Sequence, residues 1–177
     1  MNSFSSTALF GGKDGLISQD ILFLGGDSQF VVNNSEKSQL DVKHPIQKIV
    51  ISCGWVVDGF AVTYQLTNGS STTIKHGSQF SGNPKTVDVT FNKNERLVGV
   101  FGRAGYQTFY KRDMINNINF VIFDTAAGTT RVAGPYGNVN KSNEGAPFYV
   151  SDVLAFGSFA RANAPDIGLC GLFFYRA

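Results

Sequence analysis

The segment Lys48–Gln65, KIVISCGWVVDGFAVTYQ, restricts the possible folds of this chain more than any other. Its apolar side chains alternate with other residues on both sides of the turn Gly54–Asp58. Because successive side chains of a strand point to opposite faces, this alternation predicts two strands, each with one buried face. The segment therefore predicts a β-hairpin.

The turn of this hairpin also suggests a ligand. A turn that begins with Gly54 and ends with Asp58 offers exposed backbone N–H groups beside a fixed carboxylate. That combination suits a neutral, hydroxyl-rich ligand such as a sugar, because a carboxylate can accept two hydroxyl protons at once. An ordinary hairpin connection has the same pattern, so both interpretations stay open at this point.

Short apolar runs of this kind recur along the chain, separated by Gly, Asn, Ser or Pro. Many are β-branched or aromatic, as strands prefer, and none continues as the apolar stripe of a three-turn helix. We therefore predict an all-β fold of about ten to twelve strands with no dividing linker. The runs are Ile21–Leu24, Phe30–Val32, Ile46–Cys53, Phe60–Leu66, Val87–Phe91, Leu97–Phe101, Ile118–Phe123, Phe148–Val150, Leu154–Phe159 and Leu169–Tyr175.

Composition limits the size and the class of protein. A length of 177 residues predicts one domain, residues 1–177, with a core that needs no metal or disulfide. The net charge is only +2, and Lys and Arg form no stripe, which argues against nucleic acid as a partner. Neither His44 nor His76 has metal ligands at a suitable spacing, so we expect no metal and no cofactor. Cys53 and Cys170 are expected as reduced thiols, with a disulfide as the alternative.

The chain shows no targeting or membrane signal. Its first residues lack the positive start and apolar stretch of a signal peptide, and no segment approaches the ~20 apolar residues of a membrane helix. We therefore expect a soluble cytoplasmic protein without membrane insertion, for which export by a non-classical route is an alternative.

Five motifs, taken in order, resemble the jacalin-related lectins. Each motif is short, but their order and spacing extend the resemblance over roughly residues 8–175. The extra length between residues 16 and 45 departs from the compact plant members and is expected of a divergent, for example fungal, member. The motifs are Phe10–Gly15, Ile46–Tyr64, Leu97–Gly102, Ile118–Phe123 followed by Gly134–Gly137 and Gly145–Phe148, and Val153–Phe174.

The resemblance implies a β-prism of three Greek-key, four-stranded sheets that binds sugars without catalysis. A faint threefold pattern of run, turn and run around residues 49–66, 97–123 and 154–175 agrees with three sheets. Galactose-preferring members are cleaved before a glycine, whereas Phe10–Gly12 is internal here. The expected partners are therefore mannose- or glucose-containing glycans and glycoproteins. Agglutination would require several sites, supplied either by two sites in one chain or by a homodimer.

By resemblance, the primary sugar site combines the N-terminal glycine loop with a loop near the C-terminus. Ala162 stands where the family has glycine, which tolerates a positive φ better than alanine does. An alternative alignment would place Gly168 at the aspartate position and remove the site. The residues implied are Gly12, Gly15, Ala162, Asn163, Ala164 and Asp166.

The secondary sugar site implied by the resemblance is the turn of the first hairpin. Trp55 and Val56 would donate their N–H groups and Asp58 would accept, while the loop around Gly77 lies alongside. Trp55 could stack on a sugar face or simply pack at the turn. The segment Phe109–Asp113 falls where a third site would lie, and we interpret it as a solvated loop. The residues implied at the secondary site are Gly54, Trp55, Val56, Asp58 and Gly77.

Two other classes of function compete with sugar binding. A glycoside hydrolase needs two carboxylates that flank one bond, and no such pair is marked among the 13 acidic residues. A serine or cysteine nucleophile has no supporting motif either, so we expect that the chain is not an enzyme. The stronger alternative is a protein-interaction or structural module of the same fold that has lost sugar binding, which the alanine at position 162 would explain.

Overall fold

The computed structural model describes residues 4–25, 29–78, 86–138, 145–161 and 168–176. Every regular element within these ranges is a β-strand, which confirms the all-β prediction. The described residues form fifteen strands, more than predicted, because several short or polar strands carry no apolar run. The strands are β1 Ser5–Ser6, β2 Phe10–Gly11, β3 Leu16–Gln19, β4 Ile21–Leu24, β5 Gln29–Val32, β6 Ile46–Cys53, β7 Val57–Gln65, β8 Ser71–Gly77, β9 Thr86–Thr90, β10 Glu95–Gln107, β11 Arg112–Asp124, β12 Thr129–Gly137, β13 Ala146–Ser151, β14 Val153–Arg161 and β15 Gly168–Arg176.

The strands form three main sheets and one separate hairpin. Two sheets have the orders β9-β6-β7-β8 and β13-β10-β11-β12, in which the fourth strand returns beside the first, as in a Greek key. The third sheet joins the two ends of the chain, because β3 pairs with β14 while β1 and β2 both pair with β15. The β4–β5 hairpin accounts for part of the extra length between residues 16 and 45.

The hairpin predicted from Lys48–Gln65 is present as β6 and β7. Ile49 pairs with Val62, and both side chains are buried. Ile51 pairs with Phe60, and these side chains are buried as well. Alternation in the sequence has therefore placed one face of this hairpin in the core, as predicted.

The three sheets enclose one apolar core. Each sheet contributes fully buried rings, including Phe60 of β7, Phe120 of β11 and Phe156 of β14. The Phe156 ring lies 5.1 Å from Phe60 and 5.5 Å from Phe174, and it thus joins two sheets at the centre. Three sheets around one aromatic core are the β-prism that the resemblance implies.

The three long hairpins, β6–β7, β10–β11 and β14–β15, meet at one end of the prism. Val56, Met114 and Cys170 form a small buried cluster there, and they come from the turn after β6, the start of β11 and the start of β15. A Cβ on Gly168 would lie 2.4 Å from Met114 Cε, so β15 begins in close contact with β11. We call this region the turn end of the prism.

Two further predictions can be compared with the structure. Cys53 and Cys170 are both free thiols, which confirms the first expectation and excludes a disulfide between them. In the part of the chain that the structure describes, no helix is long and apolar enough to cross a membrane.

Candidate functional site

The turn between β6 and β7 has one residue anchored in the protein and one residue facing water. Val56 is only 1% exposed and packs in the cluster at the turn end, whereas Trp55 is 53% exposed. The Gly54 N–H donates to the Val56 carbonyl at 2.9 Å, and the Asn138 N–H donates to the Trp55 carbonyl at 3.1 Å. The turn is therefore held from both sides while the indole stays accessible.

Asp58 follows this turn as the second residue of β7. The residue is 8% exposed, and no residue in the described ranges donates a hydrogen bond to its carboxylate or forms an ion pair with it. Burial raises the pKa of Asp58 to about 6, because leaving water penalises the charged form. At neutral pH the turn therefore presents an ionised, poorly hydrated hydrogen-bond acceptor.

Two glycines let the backbone of β8 approach Asp58. Gly59 of β7 pairs with Gly77 of β8. A Cβ on Gly77 would lie 2.4 Å from the Asp58 carbonyl oxygen, and its φ of +76° is one that other residues rarely adopt. The Ser78 N–H then donates to the Asp58 carbonyl at 3.2 Å. Gly77 thus lies beside Asp58.

The N-terminal glycine loop lies against the strands that flank the predicted C-terminal loop. The Gly12 N–H donates to the Cys170 carbonyl at 2.9 Å. Gly15 has a φ of +95°, and a Cβ there would lie 2.2 Å from the Ala160 carbonyl oxygen. Gly12 and Gly15 therefore border the ends of β15 and β14. The other predicted primary-site residues, Ala162, Asn163, Ala164 and Asp166, lie outside the described residues.

The prediction of a solvated loop at Phe109–Asp113 is only partly correct. Phe109 is 74% exposed and Lys111 is exposed as well. Arg112, however, is 8% exposed, and its guanidinium lies 5.5 Å from the centre of the Tyr110 ring. The charge of Arg112 is therefore turned into the protein, because β11 begins at this residue and packs against its neighbours.

The exposed part of this segment contacts the first hairpin. The Phe109 ring lies 6.0 Å from the Trp55 ring and 5.1 Å from the Tyr110 ring, edge-on in both cases. Burial, and then the negative charge of Asp58, raise the pKa of Tyr110. Trp55, Phe109 and Tyr110 form what we call the aromatic rim, which extends from Asp58 to the β10–β11 turn. Sequence reasoning missed the rim because its residues come from two hairpins.

A buried network of polar side chains was also missed. The His76 ring lies between Ser158 and Asp20, with Nδ1 2.7 Å from Ser158 Oγ and Nε2 3.0 Å from Asp20 Oδ2. The Tyr64 hydroxyl donates to the same carboxylate at 2.5 Å. These residues are distant in the sequence, and the only local signal is a polar residue at an inward position of an apolar strand.

This network resembles a Ser-His-Asp triad but cannot reach a substrate. Asp20, Tyr64 and Ser158 are 0% exposed and His76 is 1% exposed. A nucleophile must contact the group that it attacks, so a fully buried Ser158 hydroxyl cannot act on an external substrate. The network instead links β7, β8 and β14 with the connection between β3 and β4.

Comparison with known families and structures gives a consistent picture. The model of the jacalin-like lectin domain matches residues 10–165. Comparison with curated protein sequences found no match.

Several solved lectin structures resemble the whole chain. The mannose-binding lectin of champedak is 22% identical, covers 100% of this chain and 99% of its own, and has a TM-score of 0.69. A mannose-specific jacalin-related lectin of Morus nigra, solved with mannose, is 24% identical and covers 99% of this chain and 95% of its own, with a TM-score of 0.66. Artocarpin, solved with mannopentose, is 20% identical with complete coverage of both chains and a TM-score of 0.65. At these identities the likeness shows a shared fold.

Proposed function

Because this chain belongs to the family of jacalin-like lectin domains, we propose that it binds mannose- or glucose-type glycans and leaves them chemically unchanged. The observation that carries the proposal is the Asp58 carboxylate. It is largely withdrawn from water, accepts no hydrogen bond from the described residues, and follows a turn in which Trp55 is exposed. A carboxylate in this state gains more from a hydroxyl ligand than one that is already well hydrated.

The chemistry of a neutral sugar explains why such a site is useful. Charge attraction cannot hold a neutral ligand, so affinity depends on hydrogen bonds from rigid groups. A charge-assisted bond to Asp58 contributes roughly 1.5–3 kcal/mol. On this proposal the N–H groups of Trp55 and Val56 donate to the same sugar, and the expected affinity is on the order of 0.1–1 mM per site. Glycoproteins with many copies of the sugar would then bind through avidity.

We propose the N-terminal glycine loop as the second sugar site. Gly12 and Gly15 lie against β15 and β14, and these strands flank the segment that contains Asp166. The family pattern would use the N–H groups of Asn163 and Ala164 with the Asp166 carboxylate. Two sites in one domain would support avidity without a second copy of the chain.

A titration with two sugars tests both sites. Calorimetry with methyl α-mannoside and methyl galactoside is applied to the wild type, Asp58→Asn, Asp166→Asn and the control Asp88→Asn. Asp88 is 54% exposed and paired with Lys48, so its replacement matches the charge change at a position remote from the turn end. We expect binding of the mannoside but not the galactoside, with the number of sites reduced in Asp58→Asn and unchanged in Asp88→Asn.

The same titration distinguishes a wrong site assignment from a protein that does not bind sugar. Unchanged affinity and stoichiometry in both Asp58→Asn and Asp166→Asn would remove the site assignment while leaving the protein a lectin. If the wild type binds neither sugar at tens of millimolar, the chain is instead a module that has lost sugar binding.

A further inference from the structure

An open cleft lies at the end of the prism opposite the turn end. Its volume is about 690 Å³, within the range of roughly 300–1,000 Å³ that is typical of small-molecule sites. It is lined by the start of β6, the end of β7, the β5–β6 connection (residues 33–45) and the β9–β10 connection (residues 91–94). No described residue assigned to a sugar site lines it. We call it the base cleft.

The two connections that line the base cleft are held in place by hydrogen bonds. In the first, the Asp41 N–H donates to the Gln65 carbonyl and the Lys43 N–H donates to Asp41 Oδ1, both at 3.0 Å. In the second, the Asn92 N–H donates to Glu95 Oε2 and the Glu95 N–H donates to the Asn92 carbonyl, again at 3.0 Å. The polar groups of the cleft are thus fixed before a ligand arrives, which lowers the entropic cost of binding.

Four charged side chains line the base cleft, and two of them are already paired. Lys48 Nζ lies 2.6 Å from Asp88 Oδ2. Glu95 accepts two hydrogen bonds from the Arg131 guanidinium, at 2.6 Å and 3.0 Å. These two pairs neutralise themselves, so the charge offered to a ligand comes from the other two side chains.

Those two side chains are Asp41 and Lys93, which have opposite charges and belong to different connections. Neither forms an ion pair within the described part of the chain. Lys93 is exposed, and Asp41 is half-buried. Nδ1 of His44, which also lines the cleft, is buried and has no hydrogen-bond partner among the same residues. The cleft therefore offers a carboxylate and an imidazole from one connection and an ammonium from the other.

The base cleft also has apolar surface. Ile46 and Phe91 line it and are 5% and 8% exposed. A ligand that places one charge near each connection must therefore cover apolar groups with the part that joins the two charges. An aliphatic chain is suited to this, because it gains from leaving water.

From these observations we infer that the base cleft binds a small linear zwitterion of the amino-acid type. Its ammonium pairs with Asp41, its carboxylate pairs with Lys93, and its aliphatic body covers Ile46 and Phe91. A simple anion would gain from Lys93 but be repelled by Asp41, and a simple cation would meet the reverse conflict. The inference does not rest on the proposed sugar binding.

The test uses three probes of similar shape and different charge. The probes are 6-aminohexanoate, hexanoate, which lacks the ammonium, and hexylamine, which lacks the carboxylate. Each is titrated at constant ionic strength into the ¹⁵N-labelled wild type, Asp41→Asn, Lys93→Gln and the control Lys111→Gln, and backbone amide shifts are followed by NMR. Lys111 is a matched control because it is exposed and lies in the β10–β11 turn, at the other end of the prism.

We expect 6-aminohexanoate to shift the amides of the two connections and to bind about 2- to 5-fold more tightly than either other probe, the range of an exposed ion pair. Asp41→Asn should weaken binding of 6-aminohexanoate and hexylamine but not of hexanoate. Lys93→Gln should weaken binding of 6-aminohexanoate and hexanoate but not of hexylamine. Lys111→Gln should behave as the wild type with all three probes.

Each contrary result overturns the zwitterion site. Equal affinity for hexanoate and 6-aminohexanoate would leave a site for anions, and equal affinity for hexylamine would leave a site for cations. The same loss in Lys111→Gln as in Lys93→Gln would mean that the probes respond to net charge, not to the cleft. Absence of shifts at tens of millimolar would also overturn the inference. Methyl α-mannoside binding by Lys93→Gln should equal that of the wild type, so failure at the cleft leaves the proposed function in place.

Discussion

Two carboxylates, Asp20 in the core and Asp58 at the turn end, differ in their exposure and in their hydrogen-bond partners. Asp20 is 0% exposed, lies 3.0 Å from His76 and accepts a hydrogen bond from Tyr64. Asp58 is 8% exposed and has no partner among the described residues. Asp20 belongs to an arrangement that resembles a catalytic triad, whereas Asp58 belongs to a β-hairpin without such an arrangement.

The comparison separates residue type from access, because the buried network has the residue types of a triad but cannot be reached by a ligand. The buried network uses its polar groups on one another, so it strengthens the contact between the sheets. Leaving a buried acceptor without a partner costs about 1–3 kcal/mol. At Asp58 the cost is the burial of the charged form, which raises its pKa, and on the proposed function a bound glycan would recover part of that cost.

Replacement of the histidine in the network should have the largest effect on stability. His76→Ala leaves the Asp20 carboxylate buried with one partner fewer and removes the ring stacked on Phe60 at 4.4 Å. We expect a loss of about 3–5 kcal/mol in the free energy of unfolding, as for other broken buried pairs. Urea unfolding measures it, with the exposed Asp88→Ala as the control that should lose less than about 1 kcal/mol. A loss below 1 kcal/mol in His76→Ala would contradict the structural role of the network.

Replacement of Asp58 should increase the free energy of unfolding, whereas replacement of His76 should decrease it. The folded-state pKa of Asp58 is raised from 3.8 to about 6, so the folded protein binds the proton more tightly than the unfolded chain. Ionised Asp58 therefore lowers the free energy of unfolding. This effect reaches its full size above pH 6 and becomes smaller as the pH falls toward 4. Asp58→Asn should raise the free energy of unfolding by about 2 kcal/mol at pH 7 and have little effect at pH 4. A variant that is less stable at pH 7 would mean that the carboxylate has a structural partner.

Sugar binding at the turn should depend on the same ionisation. The ionised carboxylate accepts hydroxyl protons, and it is protonated as the pH falls through about 6. We expect the mannoside affinity of the turn site to fall about tenfold between pH 7 and pH 5. Calorimetry in the Asp166→Asn background measures this, with ligand-free protein checked for folding at both pH values. A flat profile would show that Asp58 does not contact the sugar.

The smallest effect is expected for the serine of the network. Ser158→Ala removes one hydrogen bond, that to His76 Nδ1, and leaves the pairing of His76 with Asp20 in place. We expect a loss of about 1 kcal/mol in unfolding free energy and no change in mannoside affinity. A change in affinity without a change in stability would give the network a role at the binding site.

Local pattern predicted much of this fold but little of its site. The alternation of Ile49 and Ile51 with their neighbours was enough to place β6 and β7, because a strand needs only its own side chains to define a buried face. Short strands such as β1 were missed, since two exposed residues, Ser5 and Ser6, pair only because β15 passes beside them.

The sequence nominated candidate binding residues one hairpin at a time, and it did not predict the contacts between hairpins. Gly77 could be placed beside Asp58 from the resemblance, and the structure pairs Gly77 with the adjacent Gly59. Phe109 was assigned to a solvated loop, because only the meeting of two hairpins brings its ring to Trp55. Likewise, the triad-like network depends on strands that are distant in the chain and adjacent in the prism.

Because of Trp55, ligand binding at the turn end can be followed by tryptophan fluorescence. It is the only tryptophan in the chain and is 53% exposed, so tryptophan fluorescence comes from one position beside Asp58. A glycan that covers the indole should shift its emission to shorter wavelength, whereas a ligand confined to the N-terminal glycine loop has no indole of its own to perturb. The emission spectrum of the unmodified protein would therefore distinguish a glycan at the proposed turn site from one at the proposed N-terminal site.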